Sequence, residues 1–90
     1  MPHRITYYAI VGGGRTVDNP HGLVRRLEHD NGPEDEGLRK DFSWSFTPII
    51  VEWKHGDFDD ELVEVSHAKA SEIIEYFREQ WGPFGQAVES

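Results

Sequence analysis

Apolar and polar positions alternate over residues 38–46, LRKDFSWSF. Phe42, Trp44 and Phe46 fall on one parity with Leu38 and Lys40, and Arg39, Asp41, Ser43 and Ser45 fall on the other. Successive side chains of a strand point to opposite faces, so the pattern predicts an antiparallel strand with an aromatic inner face and a wet outer one. At Thr47 the period changes. Thr47 can cap a helix, Pro48 suits the first helical position, and Gly56 suits the left-handed residue after the last turn. Lys54 and His55 meet the negative end of the helix dipole. These signals predict a short helix over 48–55. The β-branched run Ile49, Ile50, Val51 leaves a second strand as the alternative.

The rest of the chain is read in the same way. Ile5, Tyr7, Ala9 and Val11 alternate with Thr6, Tyr8 and Ile10. With apolar groups on both parities, 5–11 reads as a central strand at least partly covered on both sides. Residues 12–22, GGGRTVDNPHG, form a loop, and neither phosphate-binding glycine pattern is present in it. Residues 23–29 alternate as a strand, with a short helix capped by Asn19 as the alternative. Residues 30–37, DNGPEDEG, read as the hairpin connection, since Asn31-Gly32 is a strong turn signal. An acidic loop, 57–61, leads to a short apolar strand at 62–65. Ser66 then caps a helix over 67–81, whose stripe is Ala70, Ile73, Ile74, Phe77 and Trp81. Gly82 and Pro83 are expected to stop it, leaving 83–90 as a mobile end.

Together these elements predict one compact α+β domain over 1–82. It is an antiparallel sheet of three to four strands with two helices packed on one face, in the order β-β-β-α-β-α. The YYAIV segment, NPHGLVRR, the Asp/Glu-containing hairpin, the Phe-Ser-Trp strand and the closing LVEVS-helix carry a resemblance over residues 4–82. The chain resembles a group of short actinobacterial proteins of unknown function. That resemblance implies a single cytosolic domain and no particular chemistry.

Composition narrows the classes. Ninety residues are enough for one domain, and five Phe, three Tyr and three Trp supply large side chains for a small core. Seventeen acids against nine bases give a formal charge of −8, which opposes binding to nucleic acid and to anionic membrane surfaces. There are no cysteines, so disulfides and thiolate chemistry are excluded, and a reducing cytoplasm fits. No apolar run approaches the about 18 residues of a membrane span, and the start does not read as a signal peptide.

Candidate chemistry is sparse. The five histidines lack metal-ligand spacing, and Asp57, Asp59, Asp60 and Glu61 lack the glycine of a calcium loop. No serine stands in a nucleophile-elbow context. No cofactor, metal or catalytic residue is therefore assigned. The candidate binding residues are Tyr8, Arg25, Arg26, Trp53 and Phe58. Arg25 and Arg26 would point to opposite faces of a strand, where one can stack on Trp44 or Tyr7 or pair with Asp35, Glu36 or Asp41. Trp53 and Phe58 lie near the connection after the first helix, where exposed aromatics mark interfaces. Three functions are compatible with this: a non-enzymatic domain that binds a partner protein or itself, an anion or small-molecule binder using Arg25 or Arg26 with Tyr8, and an acidic mimic that blocks a basic partner.

Overall fold

The computed structural model describes residues 2–87, with side chains described over 2–81. The protein is α+β, an open antiparallel five-stranded sheet with two helices. The strands are β1 (Arg4–Val11), β2 (Gly22–His29), β3 (Gly32–Leu38), β4 (Trp44–Phe46) and β5 (Glu61–Val65), in the spatial order β4-β3-β2-β1-β5. Helix α1 (Ile49–Lys54) joins β4 to β5, and α2 (His67–Ala87) follows β5. The chain thus carries one more strand before its first helix than the alternation suggested.

The extra strand is the acidic connection itself. His29 faces Gly32 across a turn of only Asp30 and Asn31, so Pro33, Glu34, Asp35 and Glu36 lie in β3 rather than in a loop. Acids and proline are poor strand formers. Here cross-strand pairing outweighs that preference: Arg25 faces Glu36 and Arg26 faces Asp35. The stretch read as one strand over 38–46 is broken by a turn. β3 ends at Leu38, the chain turns, and β4 returns with Leu38 opposite Trp44. The turn is closed by Arg39 N–H to Ser43 O and Phe42 N–H to Arg39 O, each 2.8 Å. Phe42 adopts φ +67° within it, a conformation that costs a non-glycine residue about 1–3 kcal/mol and needs support. Its ring supplies that support, lying 5.8 Å from Trp81 and under the Arg78 guanidinium at 5.0 Å.

The two helices cover opposite faces, not one. Ala9 and Leu23 of the sheet are buried with Ala70, Ile73 and Phe77 of α2, and Tyr7, Leu38, Phe42 and Trp44 pack around them. Val24 and Leu62 are buried with Ile50 of α1, and Tyr8, Ile10, Trp53 and Phe58 pack around those. The residues in the two groups have opposite parity along β1 and β2. A single layer of helices would have left Val24, Ile10 and Leu62 in water, at about 25 cal/mol per Å² of apolar surface. Burying Ile50 completely lets a helix of six residues do this, although so short a helix has little stability of its own.

Ser66 caps α2 as expected, its hydroxyl accepting from Lys69 N–H at 3.0 Å. Helix α1 starts one residue later than expected: Pro48, not Thr47, is its N-cap, with no side-chain cap bond, because Pro48 O accepts the first intrahelical bond, from Glu52 N–H, and Thr47, just outside the helix, accepts only from Ile49 N–H at 3.3 Å. The expected stop at Gly82-Pro83 is not where α2 ends, because the helix continues to Ala87. Pro83 removes one intrahelical bond and weakens the helix by about 3 kcal/mol there, but the turns before it are anchored in the core by Ala70, Ile73 and Phe77. Of the expected mobile end, 83–90, residues 88–90 lie outside those described.

Candidate interaction surface

Arg25 and Arg26 are neighbours in sequence and belong to different layers. On the α2 face, Arg25 donates from Nε and Nη2 to Glu36 Oε1, at 2.9 and 2.7 Å, and its guanidinium lies over Trp44 at 4.0 Å. On the α1 face, Arg26 donates from Nε and Nη2 to the two carboxylate oxygens of Asp35, at 2.7 and 2.8 Å. Asp35 is only 7% exposed, and its hydrogen bond holds the Arg26 guanidinium even more firmly protonated than usual. Each arginine therefore has its donor fork turned to a carboxylate. An incoming anion would have to displace that carboxylate first.

The remaining sequence candidates gather on the α1 face. Tyr8 and Trp53 meet at a ring distance of 6.1 Å, and both pack with Phe58 against the Val24–Ile50–Leu62 core. Burial, and then the nearby Glu64 carboxylate, push the Tyr8 hydroxyl above its ordinary pKa. Tyr8, Arg26, Trp53 and Phe58 thus share one layer and Arg25 stands in the other. Trp53 and Phe58 cover the core rather than project from it.

The large apolar side chains that do project lie elsewhere: Phe46 at 78% exposed, Val51 at 43% and Val63 at 39%. Phe46 has the parity of the half-buried Trp44, which is why alternation alone placed it inside. It escapes burial because β4 is the outermost strand and only three residues long. On the other parity, Ser43 O accepts from Arg39 N–H, and Thr47 N–H donates to Asp35 O at 3.2 Å. Residues 43, 45 and 47 therefore turn their backbone groups towards β3. Trp44 and Phe46 turn theirs outward, to the open edge of the sheet.

The open edges differ in kind. β3 continues past β4, and the Thr47–Asp35 bond shows that its odd-numbered residues face outward there. One of these is Pro33, which has no N–H to offer another strand. At the far side of the sheet, β5 carries exposed Glu61 and Glu64. Proline and edge charges are the usual protections against unwanted pairing. β4, Trp-Ser-Phe, has neither.

Between the helices, at the end of the sheet where β2 begins and β3 ends, lies a groove of about 770 Å³. Ile10, Leu38, Phe46, Ile49 and Trp81 form its apolar wall, and Arg39, Lys40 and Asp41 its rim. Asp41 accepts from Ser43 N–H at 3.0 Å and from the Ser43 hydroxyl at 2.6 Å, and these bonds hold its carboxyl below the usual range. Among the described residues, no three His, Asp or Glu side chains are grouped so as to hold a metal ion. Among the described residues no helix is long and apolar enough to cross a membrane. Comparison with protein families, with curated proteins and with solved structures finds no match to this chain.

Proposed function

We propose that this protein is a small interaction domain whose binding element is the edge of β4, and that the edge pairs with a second copy of itself. The observation that carries the reading is Phe46, the most exposed large hydrophobic among the described residues, on an edge strand bare of charge and proline. A two-fold axis through Ser45 would set Trp44 of one copy opposite Phe46 of the other, twice over. Their outward backbone groups would then exchange hydrogen bonds, and the aromatic cross-strand pairs would add about 0.2–1 kcal/mol each. Such a contact is isologous and closes on itself, which is the commonest symmetry of soluble oligomers.

Charge supports the same operator. Arg39 and Lys40 stand in the turn that leads from β3 into β4, and Glu34, its side chain 56% exposed, lies on β3 beyond the end of β4. An antiparallel two-fold brings the basic end of one copy towards the acidic end of the other. The test is sedimentation equilibrium of the parent, of Phe46→Lys and of Phe46→Pro. Lysine puts a charge on the edge, and proline removes the outward N–H while leaving the bonds to β3 intact. The parent is expected to dimerise with rising concentration and both variants to stay monomeric with unchanged circular dichroism. A parent that is monomeric up to about millimolar concentration, or variants that associate as it does, would overturn the reading.

A further inference from the structure

We propose that the groove between the two helices is a binding site for a small amphipathic carboxylate, a molecule with one anionic head and an apolar body. The groove shares Ser45, Phe46, Arg39 and Lys40 with the proposed β4 contact, so binding is tested on the monomer, where the two readings separate. Its size falls within the about 300–1,000 Å³ of small-ligand sites, and its position follows from the fold. With α1 and α2 on opposite faces of one sheet, the end of the β2–β3 pair is left uncovered between them. Leu38 and Trp81 reach it from the α2 side, Ile10 and Ile49 from the α1 side, and the exposed Phe46 lies along it, with the buried Leu23 and Val24 beneath.

Charge complementarity selects the head group. In a chain of net charge −8, most local fields repel an anion. Arg25, Arg26, Lys69 and Arg78 already face carboxylates, those of Glu36, Asp35, Asp18 with Glu72, and Glu75. Arg39 and Lys40 form no ion pair among the described residues, and both line the groove. Asp41 is the one acid of the rim, and its Oδ1 is occupied by two bonds from Ser43. Two cations against one engaged carboxylate leave room for a single negative charge. A guanidinium fork beside an ammonium suits a carboxylate head, and the apolar wall suits an alkyl or aryl body.

The experiment is a titration of the full chain, followed by backbone amide shifts and Trp fluorescence, at a concentration where sedimentation finds it monomeric. Octanoate is compared with octanol, which has the same body without the charge. Octanoate is expected to give saturable shifts at Gly22, Gly37 and Ile49, with octanol at least tenfold weaker. Arg39→Gln/Lys40→Gln is expected to weaken octanoate about tenfold and leave octanol unchanged. Both side chains are exposed, so the variant should melt like the parent. Equal binding of octanoate and octanol, an affinity for octanoate unaffected by the double substitution, shifts mapping away from the groove, or no saturation by about 10 mM would each overturn the proposal.

Discussion

Trp44 and Phe46 are two residues apart on one face of one strand, and replacing each by alanine should have very different consequences. Trp44 is half-buried against the α2 core, with the Tyr7 ring at 6.1 Å and the Arg25 guanidinium at 4.0 Å. Truncating a fully buried Trp costs about 3–5 kcal/mol. Partial exposure lowers this to about 2–3 kcal/mol, of which the cation–π contact with Arg25 makes up about 0.5–1 kcal/mol. Phe46, 78% exposed, loses almost no burial, and Phe46→Ala should stay within about 0.5 kcal/mol. For a chain this size the urea dependence is about 1 kcal/mol per molar, so the midpoints should fall by about 2–3 M and by less than about 0.5 M. Equilibrium urea melts must be run where the chain is monomeric, because association would add its own stabilisation to the parent. Equal losses for the two variants would mean that β4 is buried evenly along its length and that its edge is not the exposed feature described. A Trp44→Ala midpoint within about 0.5 M of the parent would refute the packing of α2 over that ring.

Three further outcomes are expected. Arg26→Met should cost about 3–5 kcal/mol by leaving the buried Asp35 carboxylate without its partner, whereas Arg26→Met/Asp35→Leu should recover much of that; a single-variant loss below about 1 kcal/mol in urea melts would show the pair to be dispensable. Gly12→Ala should lower the thermal midpoint more than Gly14→Ala. Both have positive φ, +131° and +89°, but only at Gly12 would the added methyl lie 2.8 Å from an Asp60 oxygen, and equal midpoints would contradict that approach. Tyr8 holds its proton more tightly folded than unfolded, so its contribution is intact below its ordinary value of 10.0 and is lost as pH rises through the higher folded value. Stability measured between about pH 9 and 11 should therefore fall more steeply for the parent than for Tyr8→Phe, and identical slopes would remove Tyr8 as the cause.

Much of this fold is legible in the residues. The period of two in β1 and β2, the cap at Ser66, and the stripe Ala70–Ile73–Phe77 all lie where local chemistry puts them. The apolar groups on both parities of β1 already required cover on two sides, and the two helices supply it from opposite faces. What local reading missed is tertiary in origin. β3 is a strand because two arginines on the neighbouring strand neutralise its acids, which no propensity scale for Asp, Glu or Pro contains. Phe42 leaves the strand pattern because a left-handed turn residue is stabilised by Trp81 and Arg78, far along the chain. The carboxylate partners of Arg25 and Arg26, and the stacking on Trp44, were among the contacts the charge pattern suggested. Exposure of Phe46 and the groove were not readable, since both depend on where β4 stops and on what each helix leaves uncovered.

The position of β5 has a kinetic consequence. β1, β2 and β3 form a meander of consecutive strands joined by the loop 12–21 and the turn 30–31, so their pairing is local in sequence and can form early. The other side of β1 is filled by Glu61–Val65, with β2, β3, β4 and α1 all lying between them in the chain. During synthesis the meander is therefore complete while that side of β1, the apolar run from Ile5 to Val11, still lacks its neighbour. In the finished protein β1 is an interior strand, and in the growing chain it is a temporary edge with no proline or charge between Ile5 and Val11. The acids that border β5 protect the sheet only once that strand has arrived.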